Sequence, residues 1–178
     1  MSLSETLTRI ITFFEDLAIP YAIIGAYALA HFGRIRASLD IDIAVAVKPN
    51  EVRQFCELLK RHQFTVALAD PRNPCFVVVD EVVKTEIEIW RNLDGVSMDD
   101  VITRRWKITT PDGLNMWIID PESFIVNKLA RPDRRAIDEA DVFSVLKAQA
   151  DKLDYAYLYD RAEQAKVVEL LNSIRKRA

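Results

Sequence analysis

Apolar residues recur at helical spacing near both ends of the chain and at strand spacing between those ends. Residues 4–17 carry one apolar face that includes Ile10 and Phe14, which predicts a helix capped by Ser4 and stopped by Pro20. Short runs rich in Val, Ile and Phe predict strands. The predicted strands are 21–24, 39–47, 64–68, 75–79, 85–90, 106–109 and 115–119, and the predicted helices are 4–17, 25–33, 50–61 (capped by Asn50), 98–104, 122–129, 135–147 and 154–175.

The change from strand to helix patterning falls near Asp120. Strands dominate before this point, whereas helical spacing dominates after Pro121. This order predicts an α+β fold, with a mixed β-sheet flanked by helices and a C-terminal helical bundle, rather than a regular βαβ repeat. We expect a core over residues 1–120 and a helical region over 121–178 that packs on this core.

Composition narrows the functional classes without choosing among them. The 178 residues are 50% hydrophobic and carry a net charge of −3, so no overall attraction to nucleic acid or to an anionic membrane is expected. The two cysteines are too few for a disulfide framework, which favours a reduced, cytoplasmic protein. No apolar run approaches the ~20 residues of a membrane span.

Asp40 and Asp42 are the strongest candidates for chemistry. Residues two apart on a strand point to the same face, so the two carboxylates are predicted to lie side by side while Ile41 and Ile43 point into the core. Two like charges so close favour a cation between them, and Mg²⁺ commonly binds one or two carboxylates together with substrate phosphates. Taken alone, such a pair more often marks a solvated strand face.

The residues upstream favour the metal interpretation. Gly25 begins a helix directly after a strand, where the backbone can approach a ligand and free N–H groups attract phosphate oxygens. Arg34, Arg36 and Ser38 add positive charge and a hydroxyl just before the carboxylates. An anion site beside a carboxylate pair is what phosphoryl chemistry requires.

The segment IIGAYALAHFGRIRASLDIDIAV resembles the signature of the DNA polymerase beta-type nucleotidyltransferase superfamily. The signature is a hydrophobic strand, Gly-Gly or Gly-Ser, a helix, and a strand with Asp-x-Asp. The similarity is closer to the minimal branch that includes AbiEii-like toxins, whose Arg-x-Thr before the Asp pair is matched by Arg36-Ala37-Ser38. Ala26 departs from the pattern, because Gly or Ser is usual there; a backbone N–H contact survives this change.

The resemblance implies a nucleotidyltransferase fold in which Asp40 and Asp42 bind metal and a third carboxylate lies on a later strand. TEIEIW offers Glu86 and Glu88, of which Glu88, between two isoleucines, fits better. Glu88 would ligate a metal or help to deprotonate the attacking hydroxyl. The alternative is that both glutamates are solvated strand residues.

The C-terminal segment FIVNKLARPDRRAIDEADVFSVL also resembles the AbiEii-like branch. Lys128 matches a lysine that is expected to contact the triphosphate. Asp138 and Asp141 match an Asp-x-x-Asp pair that would orient Lys128 or Arg135, and for all of these the alternative is a surface salt bridge. The three tryptophans, Trp90, Trp106 and Trp117, are interpreted as packing residues rather than base-stacking platforms.

These features together predict a magnesium-dependent nucleotidyltransferase that moves a nucleoside monophosphate from an NTP to a hydroxyl acceptor. The acceptor would be a tRNA end, a protein side chain or a small molecule, and Gly25, Ala26, Arg36, Ser38 and Lys128 would hold the nucleotide. The resemblance to toxin–antitoxin systems adds an antitoxin as a partner. The alternatives are a non-catalytic nucleotide-binding or regulatory module that retains the fold, and an interaction protein whose carboxylates are incidental.

Overall fold

Eight α-helices and seven strands make up the part of the chain that the computed structural model describes, which is residues 3–38, 40–67 and 72–178. The helices are α1 Leu3–Asp16, α2 Gly25–Phe32, α3 Val52–Arg61, α4 Met98–Arg104, α5 Pro121–Ala130, α6 Ala136–Ala148, α7 Tyr155–Gln164 and α8 Val168–Arg175. The strands are β1 Tyr21–Ile23, β2 Ile41–Val45, β3 Phe64–Val66, β4 Cys75–Asp80, β5 Thr85–Trp90, β6 Trp106–Thr109 and β7 Asn115–Ile118.

All seven strands join one mixed sheet in the order β3-β4-β5-β2-β1-β7-β6. β2 pairs parallel to β5, and β1 pairs parallel to β7, whereas the other neighbours are antiparallel. The predicted α+β class with a mixed sheet is therefore confirmed. Because β2 and β5 are neighbours at the centre of the sheet, Asp42 in β2 and Glu88 in β5 lie next to each other.

Alternation along these two central strands separates the core from the site. Ile41 and Ile43 in β2 and Ile87 and Ile89 in β5 are fully buried. Successive side chains on a strand point to opposite faces, so the acidic residues between these isoleucines face away from that part of the core. The apolar positions thus fix which face presents carboxylates.

The C-terminal helices pack on the sheet-bearing part through apolar and charged contacts. Phe32 at the end of α2 meets Phe124 of α5 edge to face, with ring centroids 5.2 Å apart. Arg34 pairs with Asp141 of α6 at 2.8 Å. One hydrophobic core cluster includes buried residues from both parts, so the division into 1–120 and 121–178 stays a prediction.

Three helix predictions differ from the structure. Ser4 lies inside α1, which begins at Leu3, so it is not a cap. Asn50 lies in a 3₁₀ turn, Pro49–Glu51, that precedes α3. The predicted helix 154–175 is divided into α7 and α8 near Lys166, whose φ of +59° is left-handed and interrupts the helical path.

The predicted strand 39–47 is shorter in the structure. Asp40 lies one residue before β2, and Asp42 lies within it. Leu39 at the start of this predicted strand, and Leu68 at the end of predicted strand 64–68, lie outside the described residues.

Asp120 marks the entrance to the helical region. Its Oδ1 accepts a hydrogen bond from the Ser123 backbone N–H at 3.0 Å and so caps α5. Arg104 also lies 3.5 Å from this carboxyl. Burial, followed by a hydrogen bond with Glu122, nevertheless raises the pKa of Asp120 to about 7, because the hydrogen bonding from Ser123 offsets only part of the desolvation.

Candidate active site

Asp42 and Glu88 lie side by side at the centre of the sheet. In the parallel pairing of β2 with β5, Asp42 is the direct partner of Glu88. Glu86 is exposed and pairs with Val79 of β4. The structure therefore brings Glu88, rather than Glu86, to the half-buried carboxylate of Asp42.

Asp40 is exposed at the edge of this pair, and its negative charge reaches both carboxyls. Burial is the main cause that raises the pKa of Asp42, and the charge of Asp40 raises it further. Burial and then the charge of Asp42 raise the pKa of Glu88, and Asp40 again adds to the effect. Three acidic groups therefore share one region in which additional positive charge would be stabilising.

Gly25 lies against the Asp42 carboxylate. Its φ is +64°, which favours glycine, and a Cβ at this position would overlap Oδ2 of Asp42 and lie 2.9 Å from its Cγ. The Ile24 backbone N–H donates to the Asp42 carbonyl at 2.9 Å, which fixes the turn against β2. No side chain caps the first turn of α2, so its N–H groups are oriented for an anion beside the carboxylates.

Lys128 approaches the same place from α5. Its Nζ donates to Oδ1 of Asp138 at 2.8 Å, and it lies 3.8 Å from Oδ2 of Asp141. Gly25, Asp42 and Lys128 line one cavity of about 280 Å³. The positive charge of Lys128 lowers the pKa of Asp42, which opposes the effect of burial.

Asp138 and Asp141 are fully buried, and the shortest ion pair of each is with a different cation. Asp138 contacts both predicted partners, since it accepts from Lys128 and from the Arg135 backbone N–H at 2.9 Å. Although burial alone would raise it, these hydrogen bonds lower the pKa of Asp138. Asp141 instead pairs with Arg34 and, at 3.3 Å, with Arg36.

The other predicted nucleotide contacts lie around a second cavity. Ala26, Arg36 and Ser38 line this space of about 260 Å³, together with Tyr27, Ala30 and Ala37. Because Gly25 and Ala26 are consecutive, the two cavities flank one turn of the backbone. The structure thus divides the predicted set: Gly25 and Lys128 lie on one side, and Ala26, Arg36 and Ser38 lie on the other.

Sequence reasoning missed Arg131 and the apolar wall of the main cavity. Arg131 follows Lys128 by three residues at the end of α5, a spacing that shares a helix face and could have identified it. Its guanidinium donates to the Asp133 carboxylate at 3.2 Å and lines the cavity. Trp90, interpreted from sequence as packing, also lines it, with Pro74 and Leu93.

The donor set fits Mg²⁺ better than a metal enclosed by protein. Among residues 3–38, 40–67 and 72–178, no group of three or more His, Cys, Asp or Glu side chains is arranged to enclose a metal ion. Magnesium usually takes only one or two carboxylates and completes its shell with water and substrate phosphates. The pKa values of Asp42 and Glu88 are both raised, and Asp42 lines a cavity together with a lysine, which is compatible with that mode of binding.

The described helices include none that combines the length and apolar character needed to cross a membrane.

Comparison with known proteins places the chain in a class. The family described as "Nucleotidyl transferase of unknown function (DUF2204)" matches residues 3–177. The chain belongs to this family, and the predicted nucleotidyltransferase enzyme and superfamily are confirmed. Among curated proteins, none matches the chain by sequence.

Solved structures share the fold at low sequence identity. The lincomycin-bound lincosamide antibiotic adenylyltransferase LnuA is 14% identical, with a TM-score of 0.56 over 82% of this chain and 96% of that one. An antigenic nucleotidyltransferase-like protein from Paracoccidioides brasiliensis is 16% identical, with a TM-score of 0.57 over 98% and 92%. The antibiotic-resistance factor ANT(2'')-Ia is 14% identical, with a TM-score of 0.54 over 99% and 94%. These similarities confirm the nucleotidyltransferase fold.

Proposed function

We propose that this protein is a magnesium-dependent nucleotidyltransferase that moves a nucleoside monophosphate from an NTP to a hydroxyl acceptor and releases pyrophosphate. One observation carries the proposal: Asp42, the strand partner of Glu88, lies against the Gly25 turn and lines one cavity together with Lys128. Acidic and cationic groups at one cavity suit a metal–triphosphate complex, because the carboxylates bind the positive metal ion and the lysine binds the negative phosphates.

In this proposal the side chains divide into metal-binding and phosphate-binding groups. Asp40, Asp42 and Glu88 bind magnesium, which when bound offsets their mutual repulsion and supplies charge stabilisation for phosphoryl chemistry. Glu88 also accepts the proton of the attacking hydroxyl. Lys128, fixed by Asp138, contacts the triphosphate as a point charge.

The Gly25 turn supplies the remaining contacts to the triphosphate. The backbone N–H groups of Gly25 and Ala26 donate to phosphate oxygens at the start of α2. Arg36 and Ser38, which line the cavity on the other side of this turn, contact the same chain of phosphates. The nucleotide would therefore cross the turn between the two cavities.

The acceptor and the biological setting form a further part of the proposal. The acceptor is a tRNA end, a protein side chain or a small molecule; the antibiotic adenylyltransferases of the same fold make the last class a natural first test. The cavity of about 280 Å³ has an apolar wall beside Asp42, which suits part of a small organic molecule. Membership of the AbiEii-like branch and an antitoxin partner are proposed from the sequence resemblance alone, and a cytoplasmic location is proposed from the two cysteines.

Transfer of label tests the reaction directly. The protein is incubated with α-labelled NTPs, Mg²⁺ and a panel of tRNA, protein and small hydroxyl acceptors, in parallel with Asp42→Asn and Glu88→Gln variants. We expect label on an acceptor with the wild-type protein and a loss of at least about a hundredfold in the variants, because the metal-binding charge is removed. Glu86→Gln is the matched control, since Glu86 lies on the same strand but outside the pair.

Equal transfer by the wild-type protein and the Asp42 variant would overturn the assignment of the site. Binding of Mg²⁺ and NTP without consumption, across the whole panel, would instead favour a non-catalytic nucleotide-binding module.

A further inference from the structure

Trp90 is the last residue of β5, and its indole stands beside the proposed metal-binding carboxylates. It follows Glu88 by two residues, so both side chains project from the same face of the strand. The indole also forms part of the wall of the main cavity, together with Pro74 and Leu93. The ring is thus placed between the apolar wall and the acidic pair.

The indole Nε1–H is buried and unpaired. Within the described part of the chain, this nitrogen makes no hydrogen bond. A buried donor without a partner carries a desolvation cost of about 1–3 kcal/mol, which packing alone gives no reason to retain. A phenylalanine would fill much of the same space without this cost.

The carboxylates of Asp42 and Glu88 are the candidate acceptors for this donor. Asp42 lines the same cavity as Trp90, and Glu88 projects from the same face of β5 two residues earlier. Ionised carboxylates accept hydrogen bonds and donate none, so a donor pointed at the pair favours its charged, metal-binding form.

We propose that Trp90 is a positioning residue whose Nε1–H donates to the Asp42–Glu88 carboxylates and fixes their orientation when a divalent cation and an NTP bind. The inference rests on the proposed function, because it requires the carboxylates to bind metal. Residues that hydrogen-bond to metal ligands and orient them typically increase metal affinity by about ten- to a hundredfold.

The variant Trp90→Phe keeps an aromatic ring and removes the donor. Trp117→Phe is the matched control, since Trp117 lies in β7 against Arg105, whose guanidinium is 4.5 Å from its ring centre. Mn²⁺ affinity in the presence of a non-hydrolysable NTP analogue is measured by electron paramagnetic resonance, which needs no turnover. We expect affinity about tenfold weaker for Trp90→Phe and within about twofold of wild type for the control.

A second measurement observes the donor itself in the unaltered protein. The chain has three tryptophans, so a ¹⁵N-labelled sample gives three indole N–H resonances, which single Trp→Phe variants assign. When Mg²⁺ and the NTP analogue are added, the Trp90 indole proton should move downfield, further than those of Trp106 and Trp117, because it gains a hydrogen bond to a charged acceptor.

The proposal is supported when both results are obtained. An unmoved Trp90 resonance in the nucleotide-bound protein overturns it, and so does a Trp90→Phe affinity within about twofold of the Trp117→Phe control. If Trp90→Phe does not fold, the resonance of the wild-type protein decides. Failure of the proposed function is distinct, since the wild-type protein would then bind Mn²⁺ and the analogue no better than Asp42→Asn does.

Discussion

Replacement of Gly25 by alanine tests the close approach on which the site depends. Gly25 has a φ of +64°, and a Cβ would overlap Oδ2 of Asp42. The substitution therefore combines a backbone cost with a displacement of the carboxylate. Gly113 offers a matched control, because its φ is +88° but nothing lies within 4 Å of a Cβ built there.

The two substitutions separate these costs. A left-handed backbone costs an L-residue roughly 1–2 kcal/mol, and both variants incur it. Overpacking in a well-packed region adds roughly 1–3 kcal/mol, and only Gly25→Ala incurs this. We therefore expect the free energy of unfolding to fall by about 1–2 kcal/mol in Gly113→Ala and by about 2–5 kcal/mol in Gly25→Ala.

Urea denaturation measures the free energy of unfolding of each variant. Calorimetry with Mg²⁺ and a non-hydrolysable NTP analogue measures the affinity of each variant for the nucleotide. Gly25→Ala should weaken analogue binding by at least about tenfold, because a displacement of about 1 Å is enough to disrupt positioned groups. Gly113→Ala should bind as the wild-type protein does. Equal stability and equal analogue affinity in the two variants would refute the close approach of Gly25 to Asp42 as a functional feature.

Three further predictions concern buried charges. Lys128→Met should reduce the free energy of unfolding by about 3 kcal/mol in urea denaturation, because it leaves the buried Asp138 carboxylate without its 2.8 Å partner. A Lys128→Met/Asp138→Asn double variant should recover part of this loss, and no recovery would contradict the pairing. Asp141→Asn should weaken calorimetric NTP-analogue binding several-fold by releasing Arg36, a proposed phosphate contact, from its 3.3 Å ion pair, and unchanged affinity would show that this cation plays no part. Burial raises the pKa of Asp120 from 3.8 to about 7, so the stability that its neutral carboxyl contributes is complete below pH 4 and is lost as the pH rises through 7. Asp120→Asn should therefore gain about 2 kcal/mol in unfolding free energy, relative to wild type, between pH 5 and pH 8, and a pH-independent difference would contradict this reasoning.

The fold class and the central carboxylates follow from local sequence patterns. Alternation of Asp42 and Glu88 with buried isoleucines is a property of each strand by itself, so it can be recognised without a structure. The start of α2 at Gly25 is similarly local, because the strand pattern ends where the helical pattern begins. These local features are sufficient to predict the fold class and to select the segments in which the candidate site lies.

What local sequence patterns do not supply depends on pairing across the chain, on unusual backbone or on packing. The register that sets Asp42 opposite Glu88 joins segments far apart in sequence, and no local pattern fixes it, so the choice of Glu88 rests on the family resemblance. The break between α7 and α8 occurs at Lys166, a residue type that rarely adopts a positive φ. Trp90 lines the main cavity because α5 packs opposite it. The sequence alone therefore could not distinguish a packing role of Trp90 from a role in ligand contact.

The most direct test of the account is the position of the metal in a crystal grown with Mn²⁺ and a non-hydrolysable NTP analogue. Anomalous scattering from manganese locates the ion without reference to the protein density. We expect an ion at about 2.0–2.3 Å from carboxylate oxygens of Asp42 and Glu88 and from the triphosphate, whose tail lies at the start of α2. A nucleotide bound elsewhere, or an ion that contacts neither carboxylate, would contradict the central claim that this pair and the Gly25 turn form one metal–nucleotide site.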